Sequence, residues 1–213
     1  MRFVLERIIG PDDTVDVVTV TEIKRHLGEF ASVSDRDTDI QDLIDAAVEW
    51  AEDYTGRVLV DQTWRLTVGP DTFDNTTADA ASTWSADVGG DGIYLRKSPA
   101  LAITRLATVD AITGAETVID ADTYELRESA SKWPRLVLLS GAWSAGTTRV
   151  TFRAGYCDRT GSPVQAATVI PARYRSAIKL HVEAHYDRST DMDKLLKAAE
   201  NLLKPERCEM GFS

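Results

Sequence analysis

One stretch, residues 38–59, constrains the fold more than any other, because it has the pattern of a long amphipathic helix followed by a stop signal. Apolar residues recur in it at steps of three and four, which places them on one face of a helix. They are Ile40, Leu43, Ile44, Ala47, Val48, Ala51 and Tyr54. Thr38 with Gln41 has the form of a capping box, and Gly56 stands where a left-handed residue ends a helix. We therefore predict a helix whose apolar face is buried.

Three further helices are predicted from similar signals. Thr19 and Glu22 form a second capping box at the start of a short helix. A third helix follows Pro171, and a fourth ends before Pro205. The predicted buried stripe of the third helix consists of Tyr174, Ala177, Ile178, His181, Val182 and His185. Because a helix of about eight residues is marginal in water, the short helix must pack on the long one.

Between the second and third helices the apolar period changes from 3.6 to 2, the alternation of half-buried strands. Residues 63–156 contain about six or seven short runs of this kind, punctuated by glycine and proline. Within them, residues 70–92 lack lysine and arginine and are predicted to form a long mobile loop. Residues 1–18 are predicted to be an extended arm or a short hairpin. The predicted fold class is α+β: a bundle of about four helices, formed by residues 1–62 and 157–213, with a small antiparallel β domain inserted at 63–156.

The charge balance and the cysteine content bound the possible functions. The 24 lysines and arginines against 34 aspartates and glutamates give a formal charge of -10, which argues against a protein that grips phosphate backbones. No run approaches the roughly 18 apolar residues of a membrane span, and charged residues interrupt the N-terminus where a signal peptide is apolar. We therefore expect synthesis in a reducing cytoplasm. Cys157 and Cys208 are not expected to form a disulfide.

The sequence contains few groups that could carry out chemistry. His181 and His185 share a helix face, as zinc ligands do, but Glu183 is displaced from the metalloprotease pattern and a third ligand is missing. We predict that these histidines have packing or interface roles. Residues 141–146, GAWSAG, have one residue too many for a nucleophile elbow, and phosphate-binding glycine patterns are absent. The prediction is a protein that is not an enzyme and holds no metal or cofactor.

Several motifs carry a family resemblance. They are Val20–Leu27, Ala51–Leu59 with Gln62-Thr63-Trp64, Arg149–Tyr156 ending in Ala-Gly-Tyr, Ile170-Pro171, His185-Tyr186-Asp187-Arg188, and Leu202-Leu203-x-Pro205. In these motifs and in their order along the sequence, the chain resembles the head–tail connector (adaptor, head-completion) proteins of long-tailed bacteriophages and gene transfer agents. The segment formed by residues 70–92 is longer and more acidic than the resemblance leads us to expect.

The resemblance implies a structural virion protein at the head–tail interface, assembled in the bacterial cytoplasm. About twelve copies would form a ring under the portal protein, extend the DNA channel and dock the stopper or tail-completion protein. DNA would pass through without sequence-specific binding, and an acidic channel lining would let it slide. The alternative functions are a small hydrolase, or a carbohydrate- or receptor-binding tail module that exposes Trp84 or Trp143.

Within the adaptor role, we predict that the C-terminal segment, residues 191–213, docks on the portal. The candidate docking residues are Leu195, Leu196, Leu202, Leu203, Pro205, Glu206 and Arg207. The leucines form an apolar helix face, and nothing in the sequence after Pro205 predicts attachment to a core, so this segment would become ordered on binding. The alternative is that the last helix only completes the bundle.

Overall fold

The computed structural model describes residues 2–11, 15–30, 34–69, 88–89, 92–140, 143, 146–157, 169–186 and 191–208. These residues form four α-helices and two antiparallel sheets, so the fold class is α+β. The chain divides into two compact units. The β unit comprises Met1–Pro11 and Asp61–Gly155, and the helical unit comprises Asp12–Val60 and Tyr156–Ser213.

The helical unit is built from two parts of the chain that are far apart in sequence. Its helices are α1 (Val20–Leu27), α2 (Asp37–Thr55), α3 (Ala172–Tyr186) and α4 (Met192–Leu203), and a short 3-10 helix, Lys204–Glu206, follows α4. All four helices contribute to one apolar core. Its buried members include Ile23, Ile40, Ile44, Ala47, Ala51, Tyr174, Ala177, Ile178, Val182, Ala199 and Leu203.

The start of α1 confirms one predicted capping box. The Thr19 hydroxyl accepts a hydrogen bond from the backbone N–H of Glu22 at 3.2 Å, and the Glu22 carboxylate accepts one from the backbone N–H of Thr19 at 3.2 Å. The predicted end of α2 is also confirmed, because Gly56 has a left-handed φ of 70° and its N–H bonds the carbonyl of Glu52. Both helix ends therefore follow local sequence rules.

The predicted capping box at Thr38 is wrong. The helix begins at Asp37, so Thr38 lies inside the first turn, and the residue at the N-cap is Arg36, which makes no side-chain capping bond. Gln41 instead donates to the Asp45 carboxylate at 2.9 Å. The helix thus starts two residues earlier than it would with Thr38 as its cap, and Asp37, its first residue, forms an ion pair with the buried Lys24 of α1.

The β unit contains nine strands within the described residues. In chain order they are β1 (Arg2–Ile9), β2 (Gln62–Gly69), β3 (Val88–Gly89), β4 (Gly92–Tyr94), β5 (Ala100–Val109), β6 (Glu116–Val118), β7 (Tyr124–Arg127), β8 (Arg135–Leu138) and β9 (Thr147–Ala154). One sheet has the order β1-β2-β9-β5-β6, and the other has the order β3-β4-β8-β7. All neighbouring strands are antiparallel.

The period-two pattern of the sequence matches the two faces of the five-stranded sheet. Along β9 burial alternates strictly, and the members of its buried face are Thr148, Val150, Phe152 and Ala154. Leu66 of β2 and Leu106 of β5 lie opposite Val150 and are buried with it. The other face carries arginines and threonines. The alternation therefore sets which side chains form the core of this unit.

The N-terminal residues differ from the prediction. The sequence predicts an arm or hairpin of the helical domain, but Arg2–Ile9 is an edge strand that pairs with β2 from Arg2 opposite Gly69 to Ile9 opposite Thr63. The first eleven residues thus belong to the β unit. A sequence pattern identifies a strand but not its partner, which here is some sixty positions away. Of the predicted loop 70–92, residues 70–87, 90 and 91 lie outside the described residues.

Candidate functional site

The predicted docking residues of α4 lie in three different environments. Leu203 is completely buried in the core of the helical unit. Leu195 and Leu196 are half-buried, whereas Leu202 is exposed. The four leucines therefore do not present one apolar face to solvent. Leu203 serves the core of its own unit, which is the role that the alternative interpretation gave to the whole helix.

The residues after α4 are tied to the helical unit through Glu206. Its carboxylate lies 2.8 Å from the guanidinium of Arg173 and 3.5 Å from that of Arg57. Arg57 also donates to the Tyr156 hydroxyl at 2.7 Å. The interpretation that nothing holds the segment after Pro205 is therefore wrong for Glu206, because two cations from different parts of the chain bind it.

Two further contacts continue this attachment as far as Cys208. The backbone N–H of Cys208 donates to the carbonyl of Thr55, at the end of α2, at 2.8 Å. The guanidinium of Arg207 lies over the ring of Tyr54, 5.0 Å from its centre. Pro205 and Arg207 are themselves exposed. The segment is thus held along its length while it presents these two side chains outward, and residues 209–213 lie outside the described part of the chain.

Burial changes the pKa of Tyr156, the tyrosine that binds Arg57. Burial raises the pKa of Tyr156, and the neighbouring Arg57 guanidinium offsets part of that rise. Tyr174, whose ring centre lies 5.8 Å from that of Tyr156, also has a raised pKa because of burial. Both phenols stay protonated at physiological pH, and the Tyr156 hydroxyl accepts the hydrogen bond from Arg57 as a neutral group. The cluster has the properties of a structural anchor for the C-terminal segment.

An aromatic stack joins α2 to α3. The Trp50 ring lies between Tyr54 and His181, with ring centres 5.7 Å and 4.5 Å away, and His181 stacks on His185 at 4.4 Å. His185 is exposed, so its place in the predicted buried stripe is wrong, whereas His181 is half-buried. Both histidines thus take part in ring packing. Trp50, on the other helix, is the partner that the i, i+4 spacing could not predict.

The stack also determines the protonation of His181. Burial lowers the pKa of His181 to about 4, and the neighbouring His185 adds to that effect. A neutral imidazole could bind a metal, but such a site needs further ligands. In the described part of the chain, no group of three or more His, Cys, Asp or Glu side chains is arranged to hold one.

A row of carboxylates covers the exposed side of α2. We call it the acidic stripe, and its members are Asp39, Asp42, Asp45, Glu49 and Asp53, all exposed. The helix contains no lysine or arginine, and within the described residues none of the five carboxylates forms an ion pair. At about 1.5 Å per residue the stripe is roughly 21 Å long. It presents a continuous negative surface.

The other residues singled out in the sequence have less distinctive settings. Cys157 is buried and Cys208 is half-buried, and they are not joined to each other. Trp143 is half-buried, whereas Trp84 and most of the segment 141–146 lie outside the described residues. Among the helices that the structure describes, none combines the length and the apolar character needed to cross a membrane.

Comparison with known proteins reveals structural relatives. No protein-family profile and no curated protein matches the chain. A chain in the neck of an empty GTA particle, computed with C6 symmetry, is 21% identical, covers 99% of this chain and 98% of its own length, and has a TM-score of 0.66. A chain in the virion of a native gene transfer agent (GTA) particle is 21% identical, covers 98% of this chain and 97% of its own length, and has a TM-score of 0.69. A chain in the neck of a native GTA particle, computed with C12 symmetry, is 20% identical, covers 99% of this chain and 98% of its own length, and has a TM-score of 0.65.

This chain shares its fold with chains of gene transfer agent particles. The similarity extends over nearly its whole length and includes both units, so the resemblance found in the sequence motifs is confirmed in the fold. Within that fold, the anchor of Glu206 on Arg57 is the feature that sequence reasoning missed. In the sequence Arg57 is only one residue of the motif Ala51–Leu59. Its partner lies about 150 positions later, and no local pattern connects two such residues.

Proposed function

We propose that this chain is a head–tail adaptor, a structural virion protein of the neck. The observation that carries the proposal is the fold match to gene transfer agent neck chains, which covers 99% of this chain and 98% of that chain. A match of that extent includes both units in the same order, whereas an isolated sandwich or helix pair would be a common fold without functional meaning. The motifs at the exit of α2 and at the end of β9 support the same assignment.

In this role about twelve copies form a ring beneath the portal protein and extend the DNA channel. The C6 and C12 symmetries of the related neck structures support a ring of this kind. The acidic stripe supplies a suitable channel lining, because carboxylates without cationic partners repel the DNA phosphates and let the duplex slide. The opposite end of the ring receives the stopper or tail-completion protein.

The portal-docking proposal is narrower than the sequence suggested. Leu203 and Glu206 already have partners within the helical unit. Docking is therefore assigned to the exposed Leu202, Pro205 and Arg207, together with the half-buried Leu195 and Leu196. An anchored segment loses less entropy on binding than a loose tail does, which favours docking.

Deletion of the gene from its producing genome tests the proposed function. We expect DNA-filled heads that carry portals but no tails, visible by electron microscopy, and recovery of tailed particles when the gene is supplied on a plasmid. Normal tailed particles from the deletion strain would refute the proposal. Genes for a portal and a major capsid protein beside this gene would agree with it.

Substitutions in the acidic stripe test the channel lining separately from assembly. The triple variant Asp42→Lys, Asp45→Lys, Glu49→Lys should still give tailed particles but should deliver DNA less efficiently, because cations bind the passing phosphates. The single variant Glu200→Lys, on an exposed part of α4, is the control. If the triple variant delivers DNA as efficiently as wild type, the acidic stripe does not line the channel.

A point substitution tests docking. Replacing the exposed Leu202 with Asp should leave the circular dichroism spectrum unchanged and reduce recovery of the chain on purified portal. Removing residues from Pro205 onward is a poorer test, since it also deletes Glu206 and weakens the fold. Undiminished portal binding by folded Leu202→Asp protein would exclude this face of α4.

A further inference from the structure

Three arginines lie close together on the face of the five-stranded sheet that is not buried. Arg65 of β2 and Arg105 of β5 lie on either side of Thr151 of β9, each directly opposite it. Arg149 precedes Thr151 by two positions and therefore lies on the same face. Since neighbouring strands are about 4.8 Å apart, the Cα atoms of the three arginines lie within roughly 10 Å of one another. We call them the arginine triad.

Within the described residues, only one carboxylate binds the triad. One oxygen of Glu116 binds Arg149, and its other oxygen lies 2.6 Å from the guanidinium of Arg105. The hydrogen bond from Arg149 lowers the pKa of Glu116, and the charges of Arg105, Arg149 and Arg65 lower it further. Arg65 itself forms no ion pair with any described residue, and its Nε has no hydrogen-bond partner among them.

Other nearby carboxylates offset the positive charge only in part. Glu6 of β1 lies directly opposite Arg65, but it is exposed and the two side chains do not form an ion pair. Asp61 binds Arg153, the next arginine along β9. The triad with Glu116 and Glu6 therefore carries three positive charges against two negative ones, and a net positive charge remains.

The triad has donors left over for a ligand. The side chains of Arg105 and Arg149 are 50% and 31% exposed, and Arg65 is half-buried. A guanidinium has five N–H donors, whereas a carboxylate offers only two oxygens, so Glu116 leaves most of the donors to solvent. Thr151, between Arg65 and Arg105, adds a hydroxyl to the same face.

We propose that the arginine triad is a binding site for a phosphate group. Arginine side chains bind both carboxylates and phosphates, but the oxygens of a phosphate point in tetrahedral directions. One phosphate can therefore accept hydrogen bonds from guanidinium groups that approach from three strands, whereas a planar carboxylate accepts them in its own plane. The remaining positive charge favours an anion at this position.

Two sources can supply this group: free inorganic phosphate and the backbone of DNA. The second source rests on the proposed function, in which DNA passes through the neck. The formal charge of -10 does not prevent binding, because salt screens charges beyond about 8 Å at physiological ionic strength. The affinity therefore depends on the groups beside the triad, and Glu6 and Glu116 keep it weak enough for DNA to pass.

Titration with inorganic phosphate, followed by NMR, tests the site. We expect the backbone amides of Arg65, Arg105 and Thr151 to shift in wild type, and Arg65→Gln to weaken phosphate binding about ten-fold. Arg65 forms no ion pair with a described residue, so this variant should fold, which circular dichroism verifies. Arg127→Gln, on the other sheet, is the matched control and should bind like wild type. Absence of phosphate-dependent shifts at the triad, or wild-type binding by folded Arg65→Gln, would overturn the proposal.

A second variant should change phosphate binding in the opposite direction. Glu116→Gln removes the carboxylate that competes for Arg105 and Arg149, so it should strengthen phosphate binding several-fold. Glu125→Gln removes a carboxylate that binds Arg127 on the other sheet, and it should have no effect on the triad. Unchanged or weaker phosphate binding by folded Glu116→Gln would mean that the arginines only stabilise the sheet, and the site would be refuted.

Two further ligands separate the possible sources. Acetate at the same ionic strength should bind more weakly than phosphate, and equal binding would contradict a phosphate site. If the DNA backbone is the source, a short duplex should bind to wild type, and Arg65→Gln should reduce the slope of log affinity against log salt concentration by about one. An unchanged slope, with phosphate binding intact in wild type, would assign the site to free phosphate.

The outcome is separable from that of the adaptor proposal. If wild type binds phosphate at the triad but the gene deletion still gives normal tailed particles, the adaptor function is wrong and the phosphate site stands. If the deletion removes tails but Arg65→Gln binds phosphate like wild type, the phosphate site is wrong and the adaptor function stands.

Discussion

Arg57 carries a permanent charge but is only 6% exposed. A guanidinium in this position needs acceptors, and the Tyr156 hydroxyl and the Glu206 carboxylate supply them. One of these acceptors belongs to the segment after α4. The attachment of that segment is therefore coupled to the stability of the helical unit.

Replacing Glu206 with Gln should lower the free energy of unfolding by about 1–3 kcal/mol, because it leaves Arg57 without its counter-charge. Chemical denaturation measures the effect. Glu200→Gln, an exposed change on α4, should differ from wild type by less than about 0.5 kcal/mol. Equal stability of the two variants would mean that the Arg57–Glu206 pair contributes nothing.

The lowered pKa of His181 predicts a pH dependence of stability. Below about pH 6.5 the unfolded chain takes up a proton at His181, whereas the folded chain resists uptake until about pH 4. Stability should therefore be complete above pH 6.5 and decrease as the pH falls towards 4, by about 1–2 kcal/mol after allowing for partial exposure.

Substitution of the two histidines tests the assignment. His181→Phe, which keeps a ring against Trp50 but cannot titrate, should flatten the pH profile of thermal melting between pH 6.5 and 4. His185→Gln should retain most of the dependence, since burial is the larger cause of the shift. An unchanged slope in His181→Phe would assign the effect to another group.

At the scale of single elements, the two predicted capping boxes show where local rules end. Both have Thr at the first position and Glu or Gln three residues later. The box at Thr19 forms although the Glu22 carboxylate also binds Arg175 and Lys179 of α3, because its second oxygen remains available to the backbone N–H of Thr19. The one at Thr38 does not form, since the helix already begins at Asp37, whose carboxylate binds Lys24, a residue that no pattern around Thr38 reveals.

Replacing Thr19 with Ala should lower the free energy of unfolding by about 1 kcal/mol, because the N–H of Glu22 loses its acceptor. Thr21→Ala, an exposed change inside α1, is the matched control and should be neutral or slightly stabilising. If both variants lose the same stability, the loss reflects the removed threonine side chain and not the cap.

At the scale of the whole molecule, periodicity predicted the α+β class and nearly all the strands between Gln62 and Ala154, because each of these depends on neighbours in sequence. The partner of β1 and the anchor of Glu206 could not be predicted, because each joins residues from distant parts of the chain. The carboxylates of the acidic stripe are visible in the sequence of α2, but their exposure follows from the packing of the opposite helix face.

The isolated chain should be a monomer or a weak assembly at micromolar concentration, and rings should form mainly on the portal. The large apolar stripes of the helices are buried within the helical unit and are not available for association. Without a large apolar interface, we expect association to be weak. Light scattering measures the mass, and a stable ring without portal would contradict this expectation.

The register of β2 with β9 has a consequence for the order of folding. The helical unit is interrupted by about 95 residues, and closing a loop of that length costs about 4 kcal/mol of chain entropy. Pairing of Gln62 with Ala154 brings the two ends of that loop together across a single ladder. Once the sheet has formed, the two ends of the inserted segment are held together. The two parts of the helical unit can then assemble without a further loop-closure cost. In pulsed hydrogen exchange, the amides of Leu66 and Val150 should therefore gain protection before that of Ile178.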